Sequence, residues 1–580
     1  MSLLIAFFHP DVHAGGWSPQ WMKTAATSIG DAAIAPDGTV WIAGTNGSIW
    51  YGYNSATGAD FVRLPAEGFR RLAVGANGML WAVGFNGTVW SYDTATPYSS
   101  EKWVKAPVAG MADVAVAPNG TVWTAGKNGN IWYSYLSATG LKFKKLPATG
   151  FSRVAVGSDG TLWAVGSNGS LWHYDTNTPF VAGKWIKTPA SLIGDVAVEP
   201  AGTVWVAGKN GTIWYSSSFS QGNNFKKIPA SNFGSVAAGS NGLWAVGKNG
   251  TLWNTPTGDM HFYTDHGKLL DTAGFPVLLH GVNVMSAWDN GDPTGAIAFP
   301  EVRKTGANTV RIVWQSVDTQ NVPTTAATLD SLISNAVHNH LIPMVELHDG
   351  TWGVYGAMFA DQVAGCASYW TRPDVLAVLQ KHQANVLVNI GNELGDYQID
   401  VQTFVDQYSN AVQRMRDSGI HAPLVIDSTD GGKDPDILDG AAPALITADP
   451  DRNLVFSLHF YWNKLLSDID IGTDSRGGYV FIKQRLDTSL SLGYPLIIGE
   501  FSQWGAWTGN GGSICAGAGE VDYASMLRAT GEDGIGWYAW SWGPGNNYSD
   551  PLCVAMDMTD DRIHVKMGWA TDVVNAIGQP

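Results

Sequence analysis

Cysteine and charge are what this sequence has least of. Three Cys in 580 residues (Cys366, Cys515, Cys553) allow at most one bridge and a spare thiol, which excludes a disulfide framework and leaves the redox compartment open. Charged residues make up only 14%, and 34 Lys+Arg against 50 Asp+Glu give a net charge of −16, a balance that argues against a polyanionic partner such as nucleic acid. No apolar run reaches 18 residues, so no membrane-spanning helix is expected. The opening stretch Ser2–Phe8 has a short apolar core with no basic residue ahead of it and reads as a poor signal peptide. Hydrophobic content of 45% with so little charge excludes a disordered chain, and at roughly 150 residues per domain the length predicts two to four domains, or two large ones. What is plentiful is tryptophan, 27 residues in all.

Sixteen of the 27 Trp precede residue 256, and twelve of them fall in a pattern, G-x-h-W-x-x-G-x-N-G-x-h-W with h apolar, that recurs six times, the last copy one residue short at its start. The pairs are Trp41/Trp50, Trp81/Trp90, Trp123/Trp132, Trp163/Trp172, Trp205/Trp214 and Trp244/Trp253. Their first members are 40, 42, 40, 42 and 39 residues apart, the period of one four-stranded propeller blade. Thr39–Ala43 and Ser48–Tyr51 are strand-like, and the Asn46-Gly47 between them predicts a type I′ hairpin turn. A coarser 82-residue period places Trp21, Trp103 and Trp185 ahead of alternate units, so two kinds of blade are expected to alternate. Each pair of indoles serves either to pack blade on blade or to offer faces to the C–H faces of sugars. From about residue 17 to 255 the repeats resemble the tectonin family of β-propellers, and that resemblance implies glycan binding by a domain assigned to residues 1–256.

Beyond residue 256 the period is lost, with Thr255–Asp259 as the expected linker, and residues 257–580 read as α/β. Eight apolar runs follow: Val277–Asn283, Asn308–Trp314, Ile342–His348, Asn385–Glu393, Pro423–Ser428, Asn453–His459, Pro495–Glu500 and Ile535–Ser541. Between them lie segments with apolar residues at helical spacing, such as Ala326–Asn339 and Val401–Met415. Eight such units predict a TIM barrel. The expected architecture is therefore multidomain: a six-bladed all-β propeller followed by an α/β (β/α)8 TIM barrel. Five runs end in residues that chemistry can use, Asn283, His348, Asn392-Glu393, His459 and Glu500, and the strand ends form the active-site face of such a barrel. Two carboxylates on opposite sides of the mouth can flank a glycosidic bond.

Asn308-Thr-Val-Arg-Ile312, Val345-Glu-Leu-His348, Asn392-Glu393, Phe456-Ser-Leu-His-Phe-Tyr461 and Ile497-Ile-Gly-Glu-Phe501 together resemble glycoside hydrolase family 5, in order and over residues 265–575. The resemblance implies that Glu393 is the general acid/base and Glu500 the nucleophile of a retaining mechanism, with the carboxyl groups about 5 to 5.5 Å apart. It further implies that Arg311 keeps Glu500 ionised, Asn392 binds the sugar 2-hydroxyl, His348 and His459 line the −1 subsite, Tyr461 orients the nucleophile, and Trp540 or Trp542 underlies the sugar. No metal or cofactor is expected, and the acidic stretches Asp430–Asp436 and Asp557–Asp561 read as solvated loops.

Asn308-Thr-Val-Arg-Ile-Val313, Asn453-Leu-Val-Phe-Ser-Leu-His459, Tyr494-Pro-Leu-Ile-Ile-Gly-Glu-Phe501 and Ala539-Trp-Ser-Trp-Gly543 are similar to the bacterial endo-β-1,4-mannanase branch, so β-mannan or glucomannan is the favoured substrate. An endo-β-1,4-glucanase, cellulase or mixed-linkage, is the alternative, and a non-catalytic carbohydrate-binding protein is the alternative of another class. Trp288, Trp314, Trp352, Trp462, Trp504 and Trp507 are candidate platforms for further subsites. The substrate class implies a secreted or cell-surface location.

Overall fold

The computed structural model describes residues 17, 19–53, 61–94, 102–137, 140–175, 184–239, 242–257, 260–317, 324–351, 354–462, 478–504, 521–546 and 551–577. These form two compact units that part between residues 257 and 260, and each is treated by itself.

The first unit is six four-stranded antiparallel sheets. Their innermost strands are Ile29–Ile34, Phe69–Val74, Met111–Val116, Phe151–Val156, Ile193–Val198 and Phe233–Gly239, and each meets the next around a closed ring. Closure is made by strand exchange: Met22–Lys23, from the start of the unit, pairs antiparallel with Leu252–Thr255 and completes the sixth blade. The first Trp of every pair is buried, from 0% exposed at Trp205 to 7% at Trp81, and packs blade on blade. The second Trp of every pair is only half-buried.

The hairpin between the two Trp is not type I′. Gly47 alone has a left-handed φ (+87), its N–H bonds Gly44 O at 2.8 Å, and Gly44 N–H bonds Ser48 O at 2.8 Å. That is a three-residue loop, a type I turn closed by a left-handed glycine. It is selected by the Asn46 side chain, whose Oδ1 accepts from Ser48 N–H at 3.0 Å and from Ser48 Oγ–H at 2.7 Å, holding Asn46 where a helical φ suits it. Ser48 Oγ in turn accepts from Trp50 Nε1–H at 3.0 Å. The same Asn–Ser/Thr–Trp chain recurs at Trp90, Trp172, Trp214 and Trp253.

The 82-residue period has a structural basis in paired blades. The third residue of the six innermost strands is Asp31, Arg71, Asp113, Arg153, Asp195 and Ser235 in turn, at a bulge in each. Each Asp reaches into the following blade: Asp31 accepts from Leu72 N–H (2.8 Å), Asp113 from Val154 (2.9 Å) and Asp195 from Val236 (3.2 Å). Arg71 bonds Asp31 at 2.6 Å and Arg153 lies 3.3 Å from Asp195. Trp21, Trp103 and Trp185, at the outer strands of the even blades, stack on Phe233, Phe69 and Phe151.

The second unit is a closed barrel of eight parallel strands: β1 His280–Val284, β2 Thr309–Trp314, β3 Ile342–Leu347, β4 Leu387–Asn389, β5 Leu424–Asp427, β6 Leu454–Phe460, β7 Leu496–Phe501 and β8 Gly536–Ala539. Helices cover the outer faces, so strands such as β2, β3 and β6 are buried at every position, and their sequences are apolar runs rather than alternations. The helices begin where a side chain replaces a missing backbone acceptor: Thr325 caps Ala326–His338, Asp400 caps Val401–Asp417 and Asp434 caps Pro435–Ala448. Among the described residues no helix is long and apolar enough to cross a membrane.

Candidate active site

A cation lies at the centre of the site. Arg311, on β2, is 0% exposed, a position that a charged side chain holds only when every donor is used. Its guanidinium donates to Asn283 Oδ1 (2.9 Å) on β1, to Asn389 Oδ1 (2.8 Å) on β4, to Asn392 Oδ1 (2.7 Å), to Asp427 Oδ2 (3.2 Å) on β5 and to Glu500 Oε1 (2.7 Å) on β7. One side chain thus ties β2 to the polar groups of four other strands, β1, β4, β5 and β7.

Glu500 is held from both sides. Besides Arg311 on Oε1, Tyr461 donates its hydroxyl to Oε2 at 2.9 Å, and His459 Nδ1 lies 3.6 Å from the same oxygen. Burial lifts the Glu500 carboxyl above the ordinary glutamate value, against the pull of His459 and Arg311. Glu393 follows β4 in a left-handed conformation (φ +48), a cost of roughly 1–3 kcal/mol for a residue with a Cβ. Its N–H is anchored on Asp427 Oδ2 at 3.3 Å, and its Oε1 lies 2.8 Å from His459 Nδ1. The ligating atoms of Glu393, His459 and Glu500 all fall within 4.8 Å of one another.

The surrounding charges raise the proton affinity of both histidines. Burial disfavours a charged His459, but Glu500 and Asp427 outweigh it and push its pKa up to about 10. Burial likewise opposes protonation of His348, where the charge and hydrogen bond of Glu346 (Nδ1···Oε1 2.9 Å) prevail and raise the pKa. Burial would raise Glu393, yet the hydrogen bond and charge of His459 bring it below the ordinary value. Asp427 is depressed to about 2, burial being outweighed by His459 and Arg311. In the free protein the proton nearest Glu393 therefore rests on His459 Nδ1.

All eight residues expected at the site, Arg311, His348, Asn392, Glu393, His459, Tyr461, Glu500 and Trp540, are gathered at this end of the barrel. Asn392, besides meeting Arg311, donates Nδ2–H to Thr351 Oγ1 at 2.9 Å. Trp540 and Trp542 are told apart by their surroundings. Trp542 belongs to the barrel core and donates to Arg562 O at 3.0 Å. Trp540 forms a wall with Met285, Val313 and Met556, flanked by Trp288, Tyr461 and Trp504, and lies nearly parallel to His348 at 6.1 Å. Trp314 is not a platform: it is 1% exposed and its indole donates to Tyr369 OH at 2.6 Å. Trp462 packs on Phe460 and Phe481 and donates to Lys433 O. Trp352, Trp507, Cys515 and the Cys553 side chain lie outside the described residues. Asp557 is no solvated loop residue either: it is 1% exposed, bonded to Ser541 and Asn546, and burial pushes its pKa up to about 6.

Sequence reasoning missed Glu346, Asn389 and Asp427. Glu346 stands two residues before His348, Asn389 ends β4, and Asp427 ends β5, so each occupied a legible place in a run already recognised as a strand.

This geometry is that of a glycosidase, and comparison with known proteins agrees. Residues 270–546 match the family model described as cellulase (glycosyl hydrolase family 5), and residues 13–179 and 134–268 match that of the tectonin domain. The barrel carries a glycosyl hydrolase family 5 domain, that of a retaining glycoside hydrolase, and the propeller a tectonin domain. The barrel is 26% identical over 322 residues to a mannan endo-1,4-β-mannosidase of Salipaludibacillus agaradhaerens, covering 54% of this chain and 91% of that protein. It is 28% identical over 290 residues to one from Cellvibrio japonicus (strain Ueda107), covering 50% of this chain and 60% of that protein. Among solved structures, a β-mannanase from Streptomyces thermolilacinus is 26% identical with a TM-score of 0.44, over 55% of this chain and 95% of that one.

Proposed function

We propose that the barrel is an endo-β-1,4-mannanase acting outside the cell on mannan or glucomannan, with Glu500 as nucleophile and Glu393 as acid/base. The observation that carries this reading is that Glu393 and Glu500 share His459 Nδ1, at 2.8 and 3.6 Å, with one oxygen of each carboxyl within 4.8 Å of the other, a close approach that favours double displacement over a site with room for an inverting water. The sugar is argued from the named activities of the relatives, three of which are mannan endo-1,4-β-mannosidases.

In the first step Glu500 attacks the anomeric carbon while Glu393 protonates the departing oxygen. The Glu393 side chain is 19% exposed, so an arriving sugar seals it from water and favours its neutral form. The proton crosses the 2.8 Å contact from His459 Nδ1 to Glu393 Oε1 and goes on to the leaving group. Arg311 and Tyr461 hold both Glu500 oxygens, which aims the attack and keeps the carboxylate ionised. Glu393, now a carboxylate, takes a proton from water as that water attacks the glycosyl ester, Glu500 is released, and the proton passes back across the same contact to His459 Nδ1, which restores the starting state.

The propeller is read as a carbohydrate-targeting module. Supporting this are a cleft of about 350 Å³ lined by Asn210, Thr212, Trp214 and Phe225, and its counterpart of about 210 Å³ lined by Trp21, Asn249, Thr251 and Trp253. Reducing-sugar release from mannan, glucomannan, carboxymethyl cellulose and barley glucan, by wild type and Glu500→Ala, tests the catalytic reading. Release greatest on mannan and absent in the variant is expected. No release from any of the four would favour a binding protein, and preference for carboxymethyl cellulose or barley glucan a glucanase.

A further inference from the structure

The net charge conceals a division. Residues 17–256 hold 17 Lys+Arg against 11 Asp+Glu, net +6, whereas residues 257–580 hold 17 against 38, net −21. Within the propeller, Asp31, Arg71, Asp113, Arg153 and Asp195 meet one another near its axis. The outermost strands of the six blades, Met22–Lys23, Val62–Leu64, Trp103–Lys105, Gly140–Lys145, Ile186–Lys187 and Lys226–Lys227, carry nine cations and no carboxylate.

These cations have a fixed place. In every blade one of them is the cross-strand partner of the half-buried second Trp: Arg63 faces Trp50, Lys105 Trp90, Lys145 Trp132, Lys187 Trp172, Lys227 Trp214 and Lys23 Trp253. Cross-strand partners share a face of the sheet. Lys187 stands 5.9 Å from the centre of the Trp172 ring and Lys23 6.0 Å from that of Trp253. Arg63 pairs with Glu67, but among the described residues Lys23, Lys105, Lys145, Lys187 and Lys227 form no ion pair. Trp214 and Trp253, the cross-strand partners of Lys227 and Lys23, line two clefts of the propeller, the first with Phe225 and Thr212 and the second with Trp21 and Thr251. Protection of an exposed sheet edge accounts for lysine on an outer strand. It does not account for a cation opposite an indole in all six blades.

An indole face beside a free ammonium is complementary to a sugar that offers a C–H face and a carboxylate. We infer that the propeller binds an anionic polysaccharide of the polyuronate class, each blade stacking one uronate ring on its second Trp and pairing the carboxylate with the facing Lys or Arg. The inference rests on the reading of the propeller as a glycan-binding module and names its ligand as a different polymer from the barrel's neutral substrate. Single exposed pairs are weak. Five with a free lysine, and a sixth whose Arg63 must exchange Glu67 for the ligand, act together on one ring along one chain, so affinity depends on polymer length and on salt.

The test is affinity electrophoresis of the full chain in gels containing polygalacturonate, its fully methyl-esterified form, β-mannan or single-stranded DNA. Polygalacturonate is expected to retard the protein, esterification to abolish the effect, and salt at about 0.5 M, where charges are screened within a few Å, to release it. The combined variant Lys105→Gln, Lys145→Gln, Lys187→Gln, Lys227→Gln is expected to bind polygalacturonate about tenfold or more weakly while hydrolysing soluble substrate at the wild-type rate. No retardation by polygalacturonate, equal retardation by the ester, or tighter retention by DNA would overturn the inference. If mannan retains the protein, Trp172→Ala with Trp214→Ala weakens that retention and polygalacturonate has no effect, the polyuronate fails while the glycan-binding module stands. If no polysaccharide retains it, both fail.

Discussion

His459 Nδ1 lies 2.8 Å from Glu393 Oε1, so the acid half of the site is an ion pair before any sugar arrives. The proton needed for leaving-group departure is held by a group whose pKa is pushed up to about 10 rather than by a lone carboxyl. The alkaline limb of kcat/KM against pH is accordingly expected to lie well above neutrality. In His459→Gln the buried Glu393 must hold that proton unaided, and the limb moves to lower pH, with kcat down about 100-fold. A limb that stays in place would place the proton elsewhere.

The acid limb belongs to Glu500, which acts only when ionised. Burial raises its pKa above the usual 4.5, so activity is lost on falling through a value above that figure. Tyr461→Phe removes a hydrogen bond to the ionised form, which raises that pKa further. The acid limb shifts upward and kcat/KM falls about tenfold, the effect of roughly 1.5 kcal/mol.

Asp427 joins both halves, meeting Arg311 at 3.2 Å, His459 Nε2 at 3.3 Å and the Glu393 N–H at 3.3 Å. Asp427→Asn keeps the volume and removes the charge. Loss of one member of a buried pair costs about 3 kcal/mol in chemical denaturation, and the less favoured His459 proton brings the alkaline limb down with KM little changed. The sign of the pH dependence is fixed by its depressed pKa of about 2 against 3.8 unfolded: this stabilisation is present above pH 4 and is lost as pH falls toward 2. An unaltered pH profile would reduce Asp427 to a packing role.

The propeller axis titrates in the opposite sense. Asp31 is raised to about 6 by burial, outweighing Arg71, with Asp195 and Asp113 adding to the rise. The folded state then keeps a proton that the unfolded chain has lost, so stability falls as pH rises from about 4 to about 6, by roughly 3 kcal/mol. Thermal unfolding across that interval checks it, and Asp31→Asn is expected to flatten the slope.

Much of this was legible in the residues themselves. The Trp41 to Trp253 spacing carried the blade count because one short unit is copied six times, and Glu393 and Glu500 were found because strand ends are where a barrel exposes polar groups. A closing strand of two residues, Met22–Lys23, leaves no periodicity to read. The turn at Asn46-Gly47 was misassigned because the Asn46 side chain bonds forward to Ser48, which a dipeptide rule omits. Trp314 was indistinguishable from a platform because only its partner Tyr369, 55 residues away, reveals it as core. The opposed charges of the two units vanished when averaged to −16.

The central claim is that Glu500 forms the covalent bond to sugar. Incubation with an activated 2-deoxy-2-fluoro-mannoside of the β-1,4 series, followed by peptide mass mapping, tests it directly. One glycosyl group is expected on Glu500, in the peptide containing Ile497–Phe501. A label on Glu393, or an enzyme that turns over mannan yet is never labelled and releases the inverted anomer, would contradict the account.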